Sequence, residues 1–222
     1  MEVKISHITK SYRGKRVLTD INLEATGGQC IGILGANGSG KSTFLTILAG
    51  VLRRDGGSFL VDGRELFQNN ALRAACVGFV PQGTPLLEEL SALDNLRLWY
   101  DQETLHSELQ NGVLKLLGID EFLKVPVNKM SGGMKKRLSI GCAVAGRPPI
   151  LLLDEPTAAL DLACKQSIAE YLRQYKAAGG LLILTTHDVL ELQLCDAWYI
   201  LKDGVLVPFR FDGNVDKLVE SL

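Results

Sequence analysis

The run Gly35 to Thr43, GANGSGKST, sets three glycines, one lysine and two consecutive hydroxyl residues at the spacing G-x-x-x-x-G-K-[ST]. Bare backbone at Gly35, Gly38 and Gly40 lets N–H groups turn inward towards an anion, and a helix that follows adds the positive end of its dipole. Lys41 is placed to reach the β- and γ-phosphates of a nucleotide, and Ser42 to offer its hydroxyl to Mg²⁺. Thr43 adds a further phosphate donor, and Asn37 and Ser39 belong to the same binding loop.

A second stretch, ILLLDE at 150–155, ends an apolar run in two carboxylates. Asp154 is positioned to hold Mg²⁺ through its water shell. Glu155 follows directly and would polarise an attacking water as general base. A GTPase needs the guanine reader N-K-x-D, and NKMS at 128–131 lacks the aspartate. Small-molecule kinases have no use for a water-activating Glu beside the metal Asp. The combination points to hydrolysis of ATP with Mg²⁺.

Residues that converge on one ligand need elements that bring them together. Four short apolar runs each end in something polar: CIGILG at Gly35, CVGFVPQ at Gln82, ILLLDE at Asp154 and Glu155, and LLILTTH at His187. Helical stretches separate them: KSTFLTILAG, much of 86–146, and LACKQSIAEYLRQYKAAGG, with Gly179 and Gly180 as its C-cap. Alternating strands and helices predict an α/β fold with a mostly parallel sheet, whose ligands bind outside the carboxyl ends of the strands. VKISHITKSY, VLTDINLEA and SFLVDGREL alternate like antiparallel strands, and Lys202–Gly204 reads as a hairpin turn. One domain over 1–222 is expected, with a core of about 1–82 and 147–222 and an inserted helical lobe of about 83–146. The short stretch after the hairpin leaves no room for an added regulatory domain.

Composition sets outer bounds. Among 222 residues, Lys plus Arg number 24 and Asp plus Glu 25, so no net field draws nucleic acid or anionic lipid. The five cysteines are scattered without a C-x-x-C pair, which points to reduced thiols. No secretory h-region opens the chain, and no apolar run reaches the roughly 18 residues of a membrane span. A soluble, cytoplasmic protein is expected.

KMSGGMKKRLSIG, 129–141, is harder to read. A serine and two glycines open a helix, and Lys135, Lys136 and Arg137 follow at the end where the dipole repels cations. Either an anion visits this end, or surface cations simply tolerate a cost of a few tenths of a kcal/mol.

With these motifs in this order, the chain resembles the nucleotide-binding subunits of ABC (ATP-binding cassette) transporters over about 3–207. GANGSGKST looks like the Walker A motif, ILLLDE like Walker B, Gln82 like the Q-loop, SGGMKKR like the signature, AALD with Asp161 like the D-loop, and His187 like the H-loop. Tyr12 matches the aromatic that stacks on adenine. The resemblance implies a P-loop core with an antiparallel β subdomain and an inserted helical subdomain. It also implies a head-to-tail pair of cassettes, identical or not, that sandwiches two ATP molecules. In that pair Ser131, Gly132 and Gly133 meet the partner's γ-phosphate. Gln82 would touch Mg²⁺ and the lytic water, and His187 would steady the γ-phosphate and Glu155. Asp161 would serve both as helix cap and in the trans contact. The implied work is to drive a separately encoded membrane permease, of the ABC-2 exporter type by the sequence PLLEELSALDNLRLWY, from the inner face of the membrane. A soluble ABC ATPase acting as a mechanochemical switch in translation or DNA maintenance is the rival; such chains carry tandem cassettes or coiled-coil inserts. One departure stands out: the family has Gln where this chain has Met134, so the S-x-x-Q capping box is lost.

Overall fold

In the computed structural model, which describes residues 1–211, ten strands form a single sheet in the order β5-β4-β1-β2-β10-β9-β3-β8-β7-β6. The strands are β1 Glu2–Tyr12, β2 Lys15–Thr26, β3 Cys30–Leu34, β4 Gly56–Val61, β5 Arg64–Glu65, β6 Val77–Val80, β7 Ile150–Asp154, β8 Leu181–Thr185, β9 Ala197–Lys202 and β10 Val205–Phe209. The half that bears the polar strand ends is parallel: β9, β3, β8, β7 and β6 run the same way. The other half, β5, β4, β1 and β2, is antiparallel.

Strands β3, β7 and β8 are buried at every position. Their residues divide by parity between two hydrophobic layers. Ile150, Leu152, Leu181 and Ile183 pack on one face with Phe44, Leu45, Ile47 and Leu48 of α1, Lys41–Leu48. Leu151, Leu153, Leu182 and Leu184 pack on the other with α6, Gly132–Ala143, and α7, Leu162–Ala177. Full burial of one Leu or Ile is worth about 1.5–3 kcal/mol, so these two layers fix which way every strand end points. Helix α7 ends at Ala177 with Gly179 at φ 90° just beyond it, as its glycines predict.

Between β6 and β7 the chain is helical without strands: α3 Ala92–Leu96, α4 Gln102–Asn111, α5 Val113–Leu116, two 3₁₀ turns at Ile119–Phe122 and Val127–Lys129, and α6. The buried Tyr100 hydroxyl donates to the Gly141 carbonyl at 2.7 Å and ties the start of this lobe to its last helix. The remaining helices are α2 Asn70–Cys76 and α8 Val189–Leu192.

Three details differ from the sequence reading. SFLVDGREL is two strands, because Asp62 at φ 47° and Gly63 at φ 75° make a tight turn. Cys76 closes α2 instead of opening β6. The β9–β10 hairpin, turning at Asp203 and Gly204 as expected, is inserted between β2 and β3 and so joins the two halves of the sheet. The expected core extends over 212–222, which lie outside the described residues.

Candidate active site

The loop after β3 owes its path to glycine. A Cβ at Gly35, at φ 149°, would sit 2.7 Å from the Leu201 carbonyl oxygen, so no other residue fits there. The loop delivers Lys41 into a buried position, where its ammonium donates to the Gly35 and Ala36 carbonyls at 2.6 and 3.2 Å. Burial pulls its pKa down, and the charges of Glu155 and Asp154 oppose that shift. The Ser39 hydroxyl is buried and has no partner among the described residues, a polar atom aimed at nothing the protein supplies.

Parallel register sets the other strand ends alongside. Asp154, only 4% exposed, pairs with Thr185 across β7 and β8, and the Thr185 hydroxyl donates to its carboxylate. The same hydroxyl accepts from the Glu155 N–H at 3.1 Å, and the Thr185 carbonyl accepts from that N–H as well. Glu155 is thereby held at φ 48°, a left-handed conformation that costs a non-glycine residue roughly 1–3 kcal/mol. The Gln82 amide donates to Glu155 Oε2 at 3.0 Å, and His187 Nε2 lies 3.9 Å from Oε1. Burial and, after it, the neighbouring Lys41 charge lower the His187 pKa, against the opposing pull of Glu155. A cleft of about 460 Å³ opens between these groups, lined by Tyr12, Asn37, Lys41, Ser42, Gln82 and Glu155 among others.

The hydroxyl of Ser42, the amide of Gln82 and the carboxylate of Asp154 are hard oxygen donors, a set that suits Mg²⁺. Among the described residues no three His, Cys, Asp or Glu side chains cluster as a metal cage. Mg²⁺ held by Ser42, Gln82 and Asp154 would complete its shell with water and substrate phosphate.

Ser131, Gly132, Gly133 and Asp161 do not line this cleft. They form a second cluster at the adjoining N-termini of α6 and α7. Ser131 and Asp161 cap these helices, accepting from the Met134 and Cys164 N–H groups at 3.2 and 2.9 Å. The two helices touch at Gly133, where a Cβ would meet Cys164 Sγ at 2.5 Å.

A family model described as ABC transporter matches residues 18–158. The chain belongs to the ABC transporter family. The Nod factor export ATP-binding protein I of Sinorhizobium fredii is 35% identical over 91% of this chain, which spans 60% of that protein's length. The lantibiotic transport ATP-binding protein SrtF of Streptococcus pyogenes is 30% identical over 99% of the chain and 96% of its own length. A solved dimeric ATP-binding cassette in a post-hydrolysis state, bound to ADP and Pi, superposes with a TM-score of 0.82 at 29% identity, covering 96% of this chain and all of that one. This ABC cassette therefore has the P-loop ATPase architecture that its motifs predict.

The cations of the signature have a different explanation from the visiting anion. Lys136 is 5% exposed and donates inward to the Pro81 and Gln82 carbonyls at 2.9 and 3.0 Å. Arg137 donates to the Leu117 carbonyl at 2.9 Å and lies over the Phe122 ring at 5.1 Å. Lys135 faces Glu88 at 3.9 Å. Each has a partner within the cassette, although Arg137 Nε is buried without one among the described residues, and these contacts offset a dipole penalty of about 0.3–1 kcal/mol. Met134 is half-buried and packs against the apolar layer of the lobe. Sequence reasoning missed Thr185, the shared partner of both acids, although a hydroxyl closing an all-apolar strand was its signal.

Proposed function

We propose that this cassette hydrolyses MgATP and drives a separately encoded membrane permease, an exporter. The observation that carries the reading is Glu155, which accepts a hydrogen bond from the Gln82 amide and lies 3.9 Å from His187 Nε2, with Gln82 and Glu155 facing a phosphate-binding loop across one cleft. Tyr12 would stack on adenine, and the loop from Gly35 to Thr43, with Asn37, Gly38, Ser39 and Gly40, would cradle the phosphates. Bound Mg²⁺, held by Ser42, Gln82 and Asp154, would neutralise phosphate charge. Glu155 takes the proton of a water that Gln82 and His187 orient, and Lys41 stabilises charge developing on the γ-phosphate.

The second cluster supports a site completed in trans: Ser131, Gly132, Gly133 and Asp161 would meet a nucleotide held by another cassette, identical or not. We treat the chain as one ATP-binding domain, with the core at about 1–82 and 147–222 and the lobe at about 83–146. Both named relatives are export or transport subunits, which favours the transporter over the soluble switch. No helix among the described residues is long and apolar enough to cross a membrane, and in this reading the pore belongs to a separate chain. The cassette would sit at the cytoplasmic face of the membrane, held there by the permease. A groove of about 470 Å³ lies between core and lobe, lined by Phe79, Pro85, Leu86, Trp99 and Cys142 among others. Trp99 is 65% exposed there, and the groove adjoins the Gln82 loop, so a cytoplasmic helix of the permease is its assigned occupant.

Glu155→Gln should bind ATP as wild type does and lose at least about a hundredfold in kcat, because only the base is removed. Lys41→Ala should lose ATP affinity itself. Equilibrium binding and phosphate release measure the two effects. Full activity in Glu155→Gln would remove the assigned base, and unchanged ATP affinity in Lys41→Ala would remove the phosphate cradle.

A further inference from the structure

Lys136 is the one signature cation whose bonds reach another motif. It lies five residues into the helix capped by Ser131, about 7–8 Å along the axis. Its ammonium donates to two consecutive carbonyls, Pro81 and Gln82, at the point where β6 gives way to the loop entering the lobe. The side chain of that same Gln82 donates to Glu155 Oε2 at 3.0 Å. A continuous path of three hydrogen-bonded residues thus runs from the signature helix to the candidate base. Further along the helix, Ser139, Cys142 and Ala143 line the groove between lobe and core. Lys136 therefore sits between the end of the helix that would meet a partner's nucleotide and the part that would sense a permease.

A residue that only filled space here would be apolar, like the Leu138 and Ile140 that follow it. A buried ammonium is costly unless it is paired and hydrogen-bonded. Burial lowers the Lys136 pKa, and the nearby charges of Asp154, Glu191 and Glu155 oppose that shift. Arginine would bring a planar, bulkier head, whereas lysine's compact ammonium can serve two adjacent carbonyls as a point donor.

Building on the ATPase reading, we propose that Lys136 is a positioning residue that clamps the Pro81–Gln82 backbone to the signature helix and so aims the Gln82 amide at Glu155. Movement of the signature helix, whether driven by a partner's nucleotide or by the permease, then reaches the base through one side chain. Lys136 does not line the phosphate cleft; it acts through Gln82.

The test is a double-mutant cycle on the full chain. ATPase rate, ATP affinity and thermal midpoint are measured for wild type, Lys136→Met, Gln82→Ala and the double variant. Lys136→Met should lower kcat about tenfold with KM for ATP held within about twofold. Added to Gln82→Ala, it should cost less than about a further twofold, because the amide it aims is already gone. Losses that multiply, an unchanged kcat, or a fall in ATP affinity instead of kcat would overturn the proposal. If Lys136→Met does not fold, Lys136→Gln, smaller and with a weaker donor, goes through the same cycle under the same criteria. An inactive wild type would count against the proposed ATPase itself, whereas an active wild type slowed by Gln82→Ala but not by Lys136→Met would count against the clamp alone.

Discussion

Glu155 stands at φ 48°, and its conformation is held by Thr185, which binds its N–H through both carbonyl and hydroxyl while the hydroxyl also donates to Asp154. One threonine thus fixes relative to each other the two carboxylates proposed to hold the metal and to activate water. Met134 is the residue where a family device is missing. Ser131 still caps the helix, but among the described residues no side chain returns the bond to its own N–H. Met134→Gln would restore that reciprocal bond, worth about 0.5–1 kcal/mol, at the expense of an apolar contact with the lobe. Stability should therefore change little, while ATP-driven dimerisation tightens, because a better-fixed helix start aims the Gly132 and Gly133 amides more firmly. Size exclusion at limiting ATP, in the Glu155→Gln background, reads this directly. Weaker dimers would mean that Met134's packing matters more than the lost bond. The acids, the phosphate loop, Gln82 and His187 were all legible in the sequence because each closes an apolar run. The inward turn of Lys136 and Arg137 was not, because their partners, Pro81, Gln82 and Leu117, are 55, 54 and 20 residues away.

At the scale of elements, the strands that carry the site announce themselves, since burial on both faces demands unbroken apolar runs. The lobe was legible from its helical length. The place of β9–β10 between β2 and β3 was not, because β2 and β10 meet at Asp20 and Val205, a pairing no local pattern encodes. The approach of α6 to α7 at Gly133 likewise depends on a tertiary contact. The groove between lobe and core yields a prediction at this scale. Cysteines at Leu86 and Trp99, in membranes that contain the permease, should crosslink to a cytoplasmic permease helix, whereas a cysteine at the exposed Val207 on β10 should not. Crosslinking at Val207 alone would move the permease to the other side of the sheet.

For the whole molecule, the two clusters matter together. One cassette holds a phosphate cleft and, apart from it, the helix ends at Ser131 and Asp161. In the proposed reading each copy has half of two sites, and symmetric or pseudo-symmetric pairing head to tail would complete both. The most direct measurement is complementation between two inactive variants. Ser131→Arg keeps its phosphate loop but blocks its signature, and Lys41→Ala keeps its signature but loses ATP. Alone, neither should hydrolyse ATP. Mixed in equal amounts, half of the dimers pair unlike copies, and each such dimer has one intact site of two, so about a quarter of wild-type activity should return. A mixture that stays inactive, or a Ser131→Arg protein that hydrolyses ATP by itself, would contradict a site completed in trans.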